Sequence, residues 1–96
     1  MSTQAAYKQK IEAEIELAQA KLSELKAHAK NTAADARIKL EGMIDDLERM
    51  LDGTKTKLRE LGSSGEGAWE QLKDGVDTAW GDFSNGLGKA TAKFRN

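Results

Sequence analysis

Cysteine and proline are absent from the chain, histidine occurs once, and aromatic residues number only five. Without cysteine there is no disulfide scaffold, no thiolate metal site and no cysteine nucleophile. A single histidine cannot build a histidine-based metal centre. The lack of proline removes the strongest helix breaker, and 14 alanines push in the same direction, towards long uninterrupted helices. An excess of one charge is missing too: 15 basic side chains face 16 acidic ones, interleaved along the chain, so no basic footprint for nucleic acid exists. No apolar run approaches the roughly 20 residues of a spanning helix. The first twenty residues carry five charges and no apolar core segment, so a signal peptide is not expected and a cytoplasmic location is.

What is present is helical pattern. Gly62-Ser63-Ser64-Gly65-Glu66-Gly67 is the one stretch dense in breakers, and it divides the 96 residues into unlike parts. Residues 1–61 balance 11 basic against 11 acidic side chains and hold a single aromatic, Tyr7. Residues 62–96 hold seven of the nine glycines and the other four aromatics.

In the first part, apolar residues recur at Ile11, Ile15, Ala18, Leu22, Leu25, Ala29, Ala33, Ala36, Leu40, Met43, Leu47 and Met50. Thr54, Leu58 and Leu61 continue the series. The average step of about 3.6 residues lies between a seven-residue and an eleven-residue repeat. Opposite charges at helical spacing, such as Lys8–Glu12, Lys10–Glu14, Asp35–Lys39, Arg37–Glu41 and Asp45–Arg49, belong to the solvated face. The spacing predicts one continuous helix over about 4–61, roughly 87 Å long. The alternative is a break at Lys30-Asn31-Thr32, where Asn31 would end one helix and Thr32 cap the next. The stripe keeps phase through that point without glycine or proline, which favours continuity.

A turn at 62–65 and a second helix over about 66–94 follow. Ser63 followed by Glu66 forms a capping-box pattern at its start. Its interior repeats every eleven residues: WEQLKDGVDTA at 69–79 is matched by WGDFSNGLGKA at 80–90. Trp69, Leu72, Val76, Trp80, Phe83, Leu87 and Phe94 then form an apolar face that packs on the first helix. Gly75 and Gly86, one repeat apart, would permit close helix approach. A lipid-facing role for the same side is the alternative, although its opposite face is acidic rather than basic through residue 82.

No catalytic pattern emerges. His28 lies between two alanines, Asp35, Asp45 and Asp46 belong to the charged surface, and GSSGEG lacks the lysine and flanking strand of a phosphate loop. No enzyme, cofactor or metal is expected.

The segment Ser64-Gly65-Glu66-Gly67-Ala68-Trp69-Glu70-Gln71-Leu72-Lys73-Asp74-Gly75-Val76-Asp77-Thr78-Ala79-Trp80, following a long charged helix, resembles small bacterial coiled-coil or stress-response proteins of cyanobacteria and proteobacteria. The resemblance runs the length of the chain, but only the Trp/Gly segment is specific. Extra glycines at 67, 81 and 88 depart from the pattern. The resemblance implies a non-enzymatic role under stress and brings no site residues with it.

The expected architecture is all-α: one helical unit over 1–96, a long helix with a shorter antiparallel one folded back. The second helix would cover only residues 34–61, leaving the stripe from Ile11 to Ala29 bare. An antiparallel homodimer would cover it, with Ala29, Ala33 and Ala36 at its centre. A monomeric three-helix bundle broken at 30–32 is the alternative. Three functions follow as expectations: structural or stress-protective protein contact, peripheral lipid binding by the eleven-residue repeat, and an adaptor for a heterologous helix.

Overall fold

The computed structural model describes residues 3–95, with side chains throughout except those of Glu66, Phe94 and Arg95. It is all-α, with no strand among the described residues: α1 spans Thr3–Lys30, α2 Ala34–Ser63 and α3 Trp69–Arg95, the last preceded by a single 3-10 turn at Glu66–Ala68. Lys26 of α1 pairs with Glu48 of α2 near their junction, and a Cβ placed on Gly62 would meet the Lys8 side chain at the far end. The two helices are therefore antiparallel. Tyr7 of α1 stacks edge-on against Trp69 of α3, so α1 and α3 run in the same direction. The result is an up-down-up bundle measuring 50 × 20 × 17 Å.

The continuous helix expected over 4–61 is absent, because the chain breaks between Lys30 and Ala34. Asn31 and Thr32 end α1 rather than start α2. The Asn31 amide donates to the Ala27 carbonyl (3.4 Å) and the Thr32 hydroxyl to the His28 carbonyl (2.8 Å), which satisfies last-turn acceptors. Ala33 turns the chain with an extended backbone (φ −55°, ψ 148°). Burial decides the outcome. Folding α1 back covers Ile11, Ile15, Ala18, Leu22, Leu25 and Ala29, all at most 6 % exposed. Each large member contributes about 1.5–3 kcal/mol, whereas each helical hydrogen bond lost at the break costs about 0.5–1.5 kcal/mol. The stripe whose bareness called for a second chain is thus covered within one chain. Ala33 and Ala36, expected at a dimer centre, are exposed.

Two boundaries also shift. Ser63 closes α2 instead of capping α3, with its hydroxyl on the Glu60 carbonyl (3.2 Å). Ser64 then caps α2 through its N–H and its hydroxyl, both donating to the Leu61 carbonyl.

The middle helix is buried on a broader face than the sequence stripe suggests. Ile44 and Leu51 join Leu47, Thr54, Leu58 and Leu61 in the core, with Leu40, Met43 and Met50 partly buried beside them. A helix sandwiched between two others must present apolar residues to both. In α3 the fully covered residues are Val76, Phe83 and Ala90, exactly seven apart rather than eleven. The packing seam therefore follows the heptad of a left-handed bundle, and the eleven-residue sequence repeat is not its period. Of the two glycines expected to admit a neighbour, only Gly86 does so: a Cβ there would lie 2.9 Å from Leu47 Cδ2, whereas Gly75 meets nothing within 4 Å.

Candidate functional site: a groove between the first and third helices

The three helix pairs are not equally close. α2 and α3 pack most intimately, α1 and α2 less so, and α1 approaches α3 least. The gap is an open groove of about 810 Å³. Its α1 wall is built from Glu14, Leu17, Ala18, Ala20, Lys21 and Glu24, and its α3 wall from Trp80, Phe83, Ser84, Leu87, Gly88, Thr91 and Ala92. The α3 wall is low where Ser84, Gly88 and Ala92 succeed one another at steps of four, one above the next on a helix face. Trp80 leans on buried Phe83 with ring centroids 5.3 Å apart, which fixes the aromatic end of the groove. Leu17 stands on the α1 rim, 74 % exposed.

The polar groups of the groove are few, and most of them stand on its α1 wall. The Thr91 hydroxyl is occupied by the Leu87 carbonyl at 2.9 Å. Ser84 has no histidine beside it in the lining, and Glu14, Lys21 and Glu24 lie on the α1 side only. Among the described residues no group of three or more His, Cys, Asp or Glu side chains is placed to hold a metal, and no buried side-chain nitrogen or oxygen is left without a hydrogen-bond partner. No helix among them is long and apolar enough to cross a membrane.

A second cluster ties α1 to α3 beyond the groove. The Tyr7 hydroxyl donates to Asp77 Oδ1, Lys73 Nζ lies 3.1 Å from Asp77 Oδ2, and the same ammonium sits 5.0 Å from the Tyr7 ring centroid. Trp69 closes the group edge-on to Tyr7, 5.7 Å between centroids. Burial, followed by the bond to Asp77 and its charge, pushes the Tyr7 hydroxyl well above its ordinary value. The Tyr7 bond, with Lys73 adding to it, holds Asp77 below the usual carboxylate range against some desolvation. This cluster is a clasp: it fixes the axial register of α1 against α3.

The expected packing residues divide as follows. Ile11, Ile15, Leu22, Leu25, Ala29, Leu47, Val76 and Phe83 are in the core, and Leu40, Trp69, Leu72, Trp80 and Leu87 pack against it half-buried. Ala33 and Ala36 are at the surface, and the side chain of Phe94 lies outside the described residues. His28, Asp35, Asp45 and Asp46 are exposed. Sequence reasoning missed Leu17 and Ile38, the two large apolar residues left exposed among the described residues, at 74 % and 72 %. Each interrupts a charged helix face, and that interruption was the available signal.

Comparison with known proteins finds no family model, no curated protein and no solved structure that matches this chain.

Proposed function

We propose that this is a non-enzymatic helical protein that works by protein–protein contact, with the α1–α3 groove as its contact surface. The observation that carries the reading is Leu17, an apolar side chain left about three-quarters exposed on the rim of an apolar groove. An amphipathic helix fits such a site. Leu17, Trp80 and Leu87 offer apolar contact, and Ser84, Gly88 and Ala92 let a backbone come close. The resemblance of residues 64–80 to stress-response coiled-coil proteins supports a structural or protective role for that contact. Self-association is one form it takes. A cytoplasmic setting suits a cysteine-free, charge-balanced chain.

Lipid binding by the repeat is the weaker reading. Of the face that would enter a membrane surface, Val76 and Phe83 are fully buried against the other helices and Trp69, Leu72, Trp80 and Leu87 are half-buried, so α3 would have to leave the bundle to present it whole.

The test is affinity capture with the wild-type chain and with Leu17→Glu, from stressed and unstressed cells. Proteins retained by the wild type and lost with Leu17→Glu support the groove. Identical retained sets sink it. Trp80 lies in the groove, so its emission provides a parallel signal. A shift on adding liposomes that Leu17→Glu leaves unchanged would move the function to lipid.

A further inference from the structure

We infer that α1 exchanges between two copies of this chain by straightening of the link at residues 31–33, giving a dimer in which residues 3–63 form one helix. Three observations lead there. The link is three residues long, contains neither glycine nor proline, and has no positive φ among the described residues. Asn31 N–H and Thr32 N–H already donate to the carbonyls of His28 and Ala29, so the backbone stays coiled almost to the turn. Ala33 supplies the extended ψ of 148°.

The start of α2 is also bare. Its N-cap, Ala33, makes no side-chain capping bond, so no side chain of the cap residue satisfies the first N–H groups of that helix. In a continuous helix those donors pair with carbonyls of the preceding turn. The apolar stripe is already in phase for this: Ala29, Ala33, Ala36 and Leu40 follow at steps of four, three and four. Ala33 and Ala36, exposed in the bundle, would face the partner where two straight helices cross, and their small side chains suit close approach.

Finally, α1 is the helix held least closely by the other two. Its contact with α3 is the sparsest in the bundle, while the α2–α3 hairpin packs closely. In the exchanged dimer every α1 contact re-forms in trans: the core stripe, the Lys26–Glu48 pair and the Tyr7–Asp77 clasp. The gain is a repaired helix and two buried alanines, and the cost is the entropy of association, so the dimer is favoured by concentration. The groove persists in each half, so this inference stands or falls apart from the groove reading.

Carbodiimide cross-linking of an equal mixture of isotopically light and heavy chains, co-refolded at high concentration and fractionated by size, tests it. Lys26 Nζ and Glu48 Oε2 lie 2.8 Å apart, close enough for a zero-length link. The expected result is a species of twice the 10.5 kDa chain mass in which Lys26–Glu48 peptides join light to heavy chains. The double variant Asn31→Ala/Thr32→Ala should raise its yield several-fold, and Thr32→Pro should abolish it, both with helicity retained by circular dichroism. Monomer mass at every concentration for both the wild type and the alanine variant overturns the inference. So does a dimer whose Lys26–Glu48 links never mix isotopes.

Discussion

The hydroxyl of Tyr7 donates to the carboxylate of Asp77 across seventy residues of chain, joining the first helix to the third at one end of the bundle. The bond needs a neutral phenol and an ionised carboxylate, so its contribution is limited on both sides of the pH scale. Asp77 has a lowered value in the folded chain, so its contribution is present above the ordinary carboxylate value of 3.8 and is lost as pH falls. Tyr7 has a raised value, so its contribution is present below 10.0 and is lost as pH rises past it. Tyr7→Phe should cost about 0.5–1.5 kcal/mol near neutrality. The stability difference between wild type and variant, measured by urea unfolding, should be flat at mid-range and shrink at both extremes. Asp77, followed by carboxylate NMR, should move up towards its ordinary value in the variant. A difference that does not change with pH would contradict this account.

Gly75 and Gly86 occupy equivalent positions in the sequence repeat but respond oppositely to a methyl group. Gly75→Ala meets open space, so it should gain the helix-propensity difference of about 0.5–1 kcal/mol. Gly86→Ala drives a Cβ to 2.9 Å from the tip of Leu47, which is itself buried, and should cost about 1–3 kcal/mol before the propensity gain is counted. Thermal melts should therefore show Gly75→Ala above and Gly86→Ala below the wild type. Equal shifts would contradict the packing at Leu47.

Thr54 is the one fully buried polar side chain among the described residues, and its hydroxyl returns to the Met50 carbonyl of its own helix at 3.0 Å. That carbonyl belongs to the helix ladder already, so the hydroxyl adds little beyond its own satisfaction. Thr54→Val keeps the shape and removes the polar atom. It should stabilise the bundle by on the order of 1 kcal/mol. A lower midpoint in chemical unfolding would show that the hydroxyl matters in a way the bond to Met50 does not account for.

Core and rim should separate sharply in an alanine comparison. Phe83 is fully buried, and Phe83→Ala should cost about 3–5 kcal/mol, a large share of the stability of a chain this size. Leu17→Ala removes a side chain that is 74 % exposed and should leave the stability within about 0.5 kcal/mol of the wild type. A stability loss at Leu17 comparable to that at Phe83 would mean the rim residue is packed after all.

The α1 stripe could be read directly, because a helix that packs chiefly on one neighbour shows a single narrow apolar line, and all six of its expected members are buried. The α2 face was harder. Ile44 and Leu51 lie beside the line through Met43, Leu47 and Met50, and they become core only because a second helix covers that flank. The break at 31–33 leaves no trace in the stripe, which keeps phase through it. What decides it is the burial of residues 11–29, a long-range effect that local spacing does not contain. The groove was illegible for a similar reason. Its width depends on how far α1 stands from α3, whereas Leu17 alone, an apolar residue next to Glu16 on a charged face, was visible in the letters. Among the surface pairs, Lys8–Glu12 and Arg37–Glu41 form as spaced, but Arg49 turns to Asp46 rather than Asp45.

The closeness of α2 to α3, and the distance kept by α1, set an order for folding. Both helix pairs adjacent in sequence close at little loop-closure cost, so the closer packing of the second and third helices is what should bring that hairpin together first. The first helix, alanine-rich and free of glycine, has the composition best suited to coil before it docks. Its docking is expected to come last, and in the exchange proposed above the encounter of a nascent chain with a neighbour, rather than the final stability of either form, would determine whose hairpin it joins.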